Sequence, residues 1–97
     1  MIKSFRNQAT EDIFNGINSK LARKICPVQL LKVAIRKLDL LDSVVSLDEL
    51  RIPANNRLEA LSGDREGQYS IRINGQYRIC FVWITDEPAE IEIVDYH

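Results

Sequence analysis

Between Val28 and Leu41, apolar side chains return every three or four positions, at Val28, Leu31, Ala34, Ile35, Leu38 and Leu41. Lys32, Arg36, Lys37 and Asp39 fill the gaps. That spacing gathers the apolar residues on one face of a helix. Pro27 suits a first helical turn, where its missing N–H has no partner to lose. A helix over 27–42, packed on a sheet, is therefore predicted. Upstream, Ile2 to Phe5 alternates in part and predicts an edge strand. Thr10 followed by Glu11 and Asp12 predicts an N-cap, and Gly16 a C-cap, for a short helix over 10–15. Residues 15–25 are polar and basic without periodicity, and no element is assigned there.

After Ser43 the period changes. Ser46-Leu47-Asp48-Glu49 predicts one capped turn inside a connection that reaches Asn56, and Pro53 interrupts regular structure there. Strands are predicted over 57–61, 68–73, 76–84 and 91–96, because apolar and polar residues then alternate along most of them. Gly63 to Gly67 is a turn. Asn74-Gly75 predicts a hairpin with a type I′ turn, which needs positive φ at both central residues. Thr85 to Glu90, with Pro88 inside it, is predicted to turn the chain once more. The order β-α-α-β-β-β-β makes an α+β fold, with two N-terminal helices covering one face of a small, mainly antiparallel sheet.

Composition adds limits. Ninety-seven residues, 45% hydrophobic and 28% charged, predict one globular domain over 1–97. No apolar run approaches the ~20 residues that span a bilayer, and the opening Met1-Ile2-Lys3-Ser4-Phe5 lacks a signal peptide's apolar stretch. The expectation is a cytoplasmic protein without a membrane partner. Cys26 and Cys80 match no metal-ligand spacing, and the single histidine is His97, so neither metal nor cofactor is expected. Cys80 reads as a small buried side chain, and Cys26, just before Pro27, as a residue at a helix start.

The net charge of −1 hides an asymmetry. Residues 1–37 hold eight Lys/Arg against two carboxylates, a net +6, whereas 38–97 hold five against twelve, a net −7. A basic N-terminal face could meet phosphates, an acidic partner or only water.

Side chains with chemistry collect late in the chain: Glu59, Asp64, Arg65, Arg72, Arg78, Asp95, Tyr96 and His97. If the late strands pair, several of them can face one groove. Ser62 and Ser70 show no nucleophile-elbow signature. Gly63 and Gly67 flank a turn between strands instead of opening a helix, so they do not form a phosphate loop. Arg65 reads either as a turn residue paired with Asp64 or Glu66, or as a phosphate ligand. Arg78 lies between Tyr77 and Ile79 in an apolar strand, so it must find a carboxylate or line a groove, because an unpaired buried guanidinium is costly. Arg72 is expected to face solvent, and Tyr69, Tyr77, Phe81 and Trp83 to form core or groove wall.

The run from Asn56 to Asn74, NRLEALSGDREGQYSIRIN, resembles the central signature of HigB toxins of the RelE/ParE superfamily. Gln76-Tyr77-Arg78-Ile79-Cys80-Phe81, the terminal Glu92-Ile93-Val94-Asp95-Tyr96-His97 and the opening MIKSF are similar to the rest of that family. The resemblance implies a bacterial toxin that cleaves mRNA in the ribosomal decoding site without a metal and is silenced by a HigA-type helix-turn-helix antitoxin. Operator DNA would be reached only through that antitoxin. The implied chemistry is attack of a ribose 2′-hydroxyl on the adjacent phosphate. It needs a base, cations for the phosphorane-like charge and an acid for the leaving oxygen. Arg65 and Arg78 suit the charge, since a guanidinium fork matches phosphate oxygens. Asp95, Tyr96 and His97 match the family's functional C-terminus, and Tyr96 or His97 could stack on a base or move a proton.

The sequence departs from some HigB toxins in carrying Glu59 in place of a histidine and Ser62 in place of a lysine. Glu59 could act as the base, but a carboxylate is weakly basic at neutral pH. A mild toxin is one expectation. Two other functions fit the same fold: a gyrase inhibitor, or a non-catalytic ribosome-binding protein.

Overall fold

In the computed structural model, which describes residues 1–96, the first helix starts earlier than its sequence suggests. Helix α1 (Gln8–Phe14) is capped by Asn7, whose Oδ1 accepts the Thr10 N–H at 2.9 Å. Thr10 is instead fully buried, and its Oγ1 accepts the N–H of Ile93 at 3.2 Å, which ties the helix to the sheet.

The stretch without periodicity contains a second helix, α2 (Lys20–Ile25). Ala22 is its one buried residue, too few to generate a repeating signal. Ser19 caps α2 by accepting the Ala22 N–H at 3.0 Å, and its hydroxyl donates to Asp12 Oδ2 at 2.6 Å. Gln8 donates to the other oxygen of Asp12 at 2.8 Å. These two hydrogen bonds, Ser19 first, hold the Asp12 carboxyl below the usual carboxylate range and join α1 to α2. Cys26 ends α2 rather than opening the next helix.

Pro27 precedes a 3₁₀ turn (Val28–Leu30), and α3 (Leu31–Ser43) follows. The apolar stripe therefore loses its first member: Val28 is 80% exposed, while Ala34, Leu38 and Leu41 are fully buried. Lys37, expected on the polar side, is buried as well. Its Nζ donates to Oδ1 of the buried Asn56, whose Nδ2 donates to the carbonyls of Leu50 at 3.1 Å and Ile52 at 3.3 Å. Burial, and the charge of Arg36 beside it, push the Lys37 ammonium down.

The sheet is an antiparallel meander of β1 (Glu59–Ala60), β2 (Tyr69–Arg72), β3 (Tyr77–Ile84) and β4 (Glu87–Asp95), in that spatial order. The predicted N-terminal strand reduces to one parallel bridge, Phe5 to Ile91, on the outer side of β4. Three helices rather than two therefore precede the sheet, and β4 begins before Pro88 instead of after Glu90. Pro88 pairs with Trp83, and its carbonyl accepts the Lys3 N–H at 2.9 Å. A proline fits a strand where its nitrogen is not asked to donate.

Positive φ at two adjacent turn residues occurs at Thr85 (50°) and Asp86 (64°), between the paired Ile84 and Glu87. Asn74 and Gly75 do close the β2–β3 hairpin, but neither has positive φ. Asn74 works through its side chain, which accepts the N–H groups of Gln76 at 2.9 Å and Tyr77 at 2.7 Å. One face of the sheet carries Ile71, Ile79, Phe81, Ile91 and Ile93, packed with Ile13, Ala34, Leu38 and Leu41 of the helices.

Candidate active site

The other face is polar, and the strand register shows how. Glu59 lies opposite Ser70, Ser70 opposite Cys80, and Cys80 opposite Glu92, which makes one row across all four strands. The adjacent row is Arg72, Arg78 and Val94. Directly paired residues share a face, so Glu59, Ser70, Arg72, Arg78 and Glu92 stand together on the side away from the helical core.

Arg78 is the centre of this face. It is 8% exposed. Its Nε donates to Ser70 Oγ at 2.8 Å, and its Nη2 donates to the Arg57 carbonyl at 2.6 Å. Arg57 reaches that position with φ of 47°, in the left-handed region, after the 3₁₀ turn Ala54–Asn56. Nη2 also lies 3.8 Å from Glu59 Oε1, an ion pair whose carboxylate is half exposed. The guanidinium carbon stands 5.7 Å from the centre of the Tyr96 ring, within cation–π range. A buried cation is thus held by neutral acceptors and left with a carboxylate and an aromatic ring at its open side.

Arg65 shares the face at the other end. Its Nη1 donates to Gln68 Oε1 at 3.1 Å and pairs with Glu92 Oε1 at 3.2 Å, rather than with its chain neighbours Asp64 or Glu66. Arg6 approaches the same Glu92 oxygen at 3.7 Å and Glu90 at 3.4 Å. Cys80 lies beneath these charges. Burial pushes its thiol up, Arg65, Arg78 and Arg6 pull it down, and Glu92 adds to the rise. Both cysteines are free thiols.

The C-terminal candidates separate. Tyr96 faces Arg78, but Asp95 pairs in register with Tyr77, on the side of Ile79 and Ile93, and accepts from Gln76 Nε2 at 3.1 Å. Asp95 therefore stands on the opposite face of β4 from Arg78, because successive strand residues alternate. His97 lies outside the described residues. Arg72 is half-buried rather than fully exposed.

A family model described as "RelE-like toxin of type II toxin-antitoxin system HigB" matches residues 3–97. The chain belongs to the HigB-like toxin family. It is 31% identical over 98 residues to Endoribonuclease HigB of Proteus vulgaris, with 100% of both chains covered. Against Toxin HigB-1 of Vibrio cholerae it is 41% identical over 61 residues, 63% of this chain and 64% of that one, so the match spans less than two thirds of that relative. The fold is also that of a chain in the YoeB-YefM complex from Staphylococcus aureus, with a TM-score of 0.59 at 18% identity, covering 100% of this chain and 98% of that one.

For a HigB-like toxin, two contributors to this site went unrecognised in the sequence. Ser70, read there only as a failed nucleophile, is fully buried and positions Arg78. The Arg57 carbonyl is backbone and leaves no sequence signature. Strand parity carried a signal for Ser70: it alternates with Tyr69 and Ile71, so it shares a face with Arg72 and not with the core.

Proposed function

We propose that this chain is an mRNA endonuclease toxin that works on the ribosome and is neutralised by a HigA-type antitoxin. The observation that carries the reading is Arg78, a buried guanidinium fixed by Ser70 and Arg57, with Glu59 and the Tyr96 ring at its open side. The full-length similarity to a protein named Endoribonuclease HigB supports it.

In this reading the Arg78 cation neutralises charge that builds on the phosphate as the ribose 2′-oxygen attacks. A preorganised cation need not reorganise during the reaction, which is the source of its rate effect. Glu59 takes the 2′-hydroxyl proton, 3.8 Å from the cation that would hold the phosphate. Tyr96 stacks on a base and fixes the scissile step. Arg65, already paired with Glu92, supplies a second cation once substrate phosphate competes for it. His97 supplies the acid for the leaving 5′-oxygen. Asp95, on the other face, holds the end of β4 through Gln76.

The test is to map mRNA 5′ ends after induction and to compare purified protein on naked RNA with protein on programmed ribosomes. Cuts confined to translated mRNA are expected. Efficient cutting of naked RNA would overturn ribosome dependence, and the absence of new 5′ ends during growth arrest would overturn the nuclease reading.

A further inference from the structure

Residues 51–57 carry the chain from the helical layer toward β1, and Asn56 alone among them is buried. An open cleft of about 310 Å³ lies between this segment and α3, lined by Arg36, Lys37 and Leu40 on one side and Pro53 and Asn55 on the other. Apolar packing therefore does little to fix the segment. Asn56 fixes it. Its Nδ2 donates to the carbonyls of Leu50 at 3.1 Å and Ile52 at 3.3 Å, and its Oδ1 accepts from Lys37 of α3. Both amide protons and the amide oxygen are thus used, and a flipped amide would set its oxygen against two carbonyls. The amide has one orientation, and Lys37 selects it.

Arg57 follows directly. Its φ of 47° is left-handed without a glycine's freedom, and such a residue persists only where its surroundings hold it. Its N–H donates to the Ala54 carbonyl at 3.1 Å, and its own carbonyl accepts Arg78 Nη2 at 2.6 Å. A continuous route therefore runs from α3, through the Asn56 side chain and one peptide unit, to the guanidinium. An apolar side chain at position 37 would fill the same space without an ammonium that burial penalises. It could not orient the Asn56 amide.

We propose that Lys37 and Asn56, both outside the site, are positioning residues that fix Arg78 through the Arg57 carbonyl. The proposal rests on the reading that Arg78 meets the phosphate. Lys37→Met keeps the length of the side chain and removes the donor. On programmed ribosomes it should lower kcat by about tenfold or more, with KM little changed, because a displaced guanidinium costs rate before binding. Asn adopts left-handed backbone more readily than Arg. In an Arg57→Asn background, then, Lys37→Met should lower kcat by a smaller factor. Exchange of the Arg78 guanidinium protons with solvent, assigned by NMR through Arg78→Lys, gives a readout independent of cleavage. It should be slow in the wild type and about tenfold faster in Lys37→Met. Ile13→Val, a core change off this route, should lower Tm and leave kcat and Arg78 exchange unchanged. If Lys37→Met does not fold, Asn56→Asp takes its place in both assays, since it keeps the acceptor for Lys37 and loses the donor to Leu50 and Ile52.

Unchanged kcat and unchanged Arg78 exchange in a folded variant would overturn the proposal. The same loss of kcat in both backgrounds would also overturn it, leaving Lys37 a packing residue, as would failure of both variants to fold. Faster Arg78 exchange with kcat unchanged would uphold the route from Lys37 to Arg78 and overturn the assignment of Arg78 to the phosphate.

Discussion

Ser70 Oγ accepts the Nε proton of Arg78 at 2.8 Å, across a strand pair in which Ser70 lies opposite Cys80 and Arg78 opposite Arg72. The contact is diagonal, and it turns the guanidinium away from Arg72, a like charge directly opposite, toward Glu59. Ser70→Ala should remove that bias. If Arg78 meets the reacting phosphate as proposed, misplacing it by a fraction of an ångström lowers rate more than binding, by about ten- to a hundredfold. We expect kcat on programmed ribosomes to fall with KM little changed, and Ser70→Thr, which keeps the hydroxyl, to recover most of it. Equal loss in both variants would reduce Ser70 to a packing residue.

Arg78→Ala should abolish toxicity in a protein that remains folded. Removing a charge-stabilising donor lowers kcat by about 10²–10³-fold, while the Arg57 carbonyl and Ser70 hydroxyl left behind cost about 1–3 kcal/mol of stability. Growth on induction and circular dichroism of the purified variant check both halves. Aggregation of Arg78→Ala would make the residue structural first.

Glu59→Gln tests the base. If the carboxylate takes the 2′-hydroxyl proton, the amide should be nearly inactive, and Glu59→His should match or exceed wild type, since an imidazole titrates near ~6.5 and suits proton transfer at neutral pH. If Glu59 only holds Arg78 across 3.8 Å, Gln keeps an acceptor oxygen and most of the activity. Single-turnover cleavage separates the two outcomes.

Asp12 sets a pH dependence. Hydrogen bonds from Ser19 and Gln8 lower its folded pKa below the ordinary 3.8. The unfolded carboxyl therefore takes up its proton at higher pH than the folded one, and the stability that Asp12 contributes is present above pH 3.8 and lost as pH falls through the folded value. In denaturant titrations the wild type should lose stability more steeply than Asp12→Asn below pH 3.8. Parallel curves for the two proteins would remove Asp12 from the acid response.

The β3–β4 turn is open to improvement. Thr85 and Asp86 both have positive φ, which a β-branched residue adopts poorly. Replacing Thr85-Asp86 with Asn-Gly should stabilise the protein by about 0.5–2 kcal/mol, read as a raised Tm. An unchanged or lowered Tm would show that the turn carries no strain worth relieving.

What the sequence determined was whatever depends on local pattern. The α3 stripe of Ala34, Leu38 and Leu41 and the alternation of Ile71, Ile79, Phe81 and Ile93 set helix against sheet, because burying those side chains leaves few other arrangements. The meander order followed from the short turns between strands. Tertiary structure decided what depends on partners distant along the chain. Thr10 is drawn inside to meet Ile93 N–H, Lys37 is drawn inside to meet Asn56, and Pro88 joins a strand because its carbonyl meets Lys3 N–H. Helix α2 forms because Ser19 caps it and Asp12 anchors that cap, with Ala22 alone buried along its length. The candidate site divides in the same way. Arg78 and Glu59 were legible as charges needing partners, but the register put Tyr96 beside Arg78 and Asp95 on the other face. A one-residue shift of register exchanges the two faces, and register is fixed by pairing across the sheet, not by residue type.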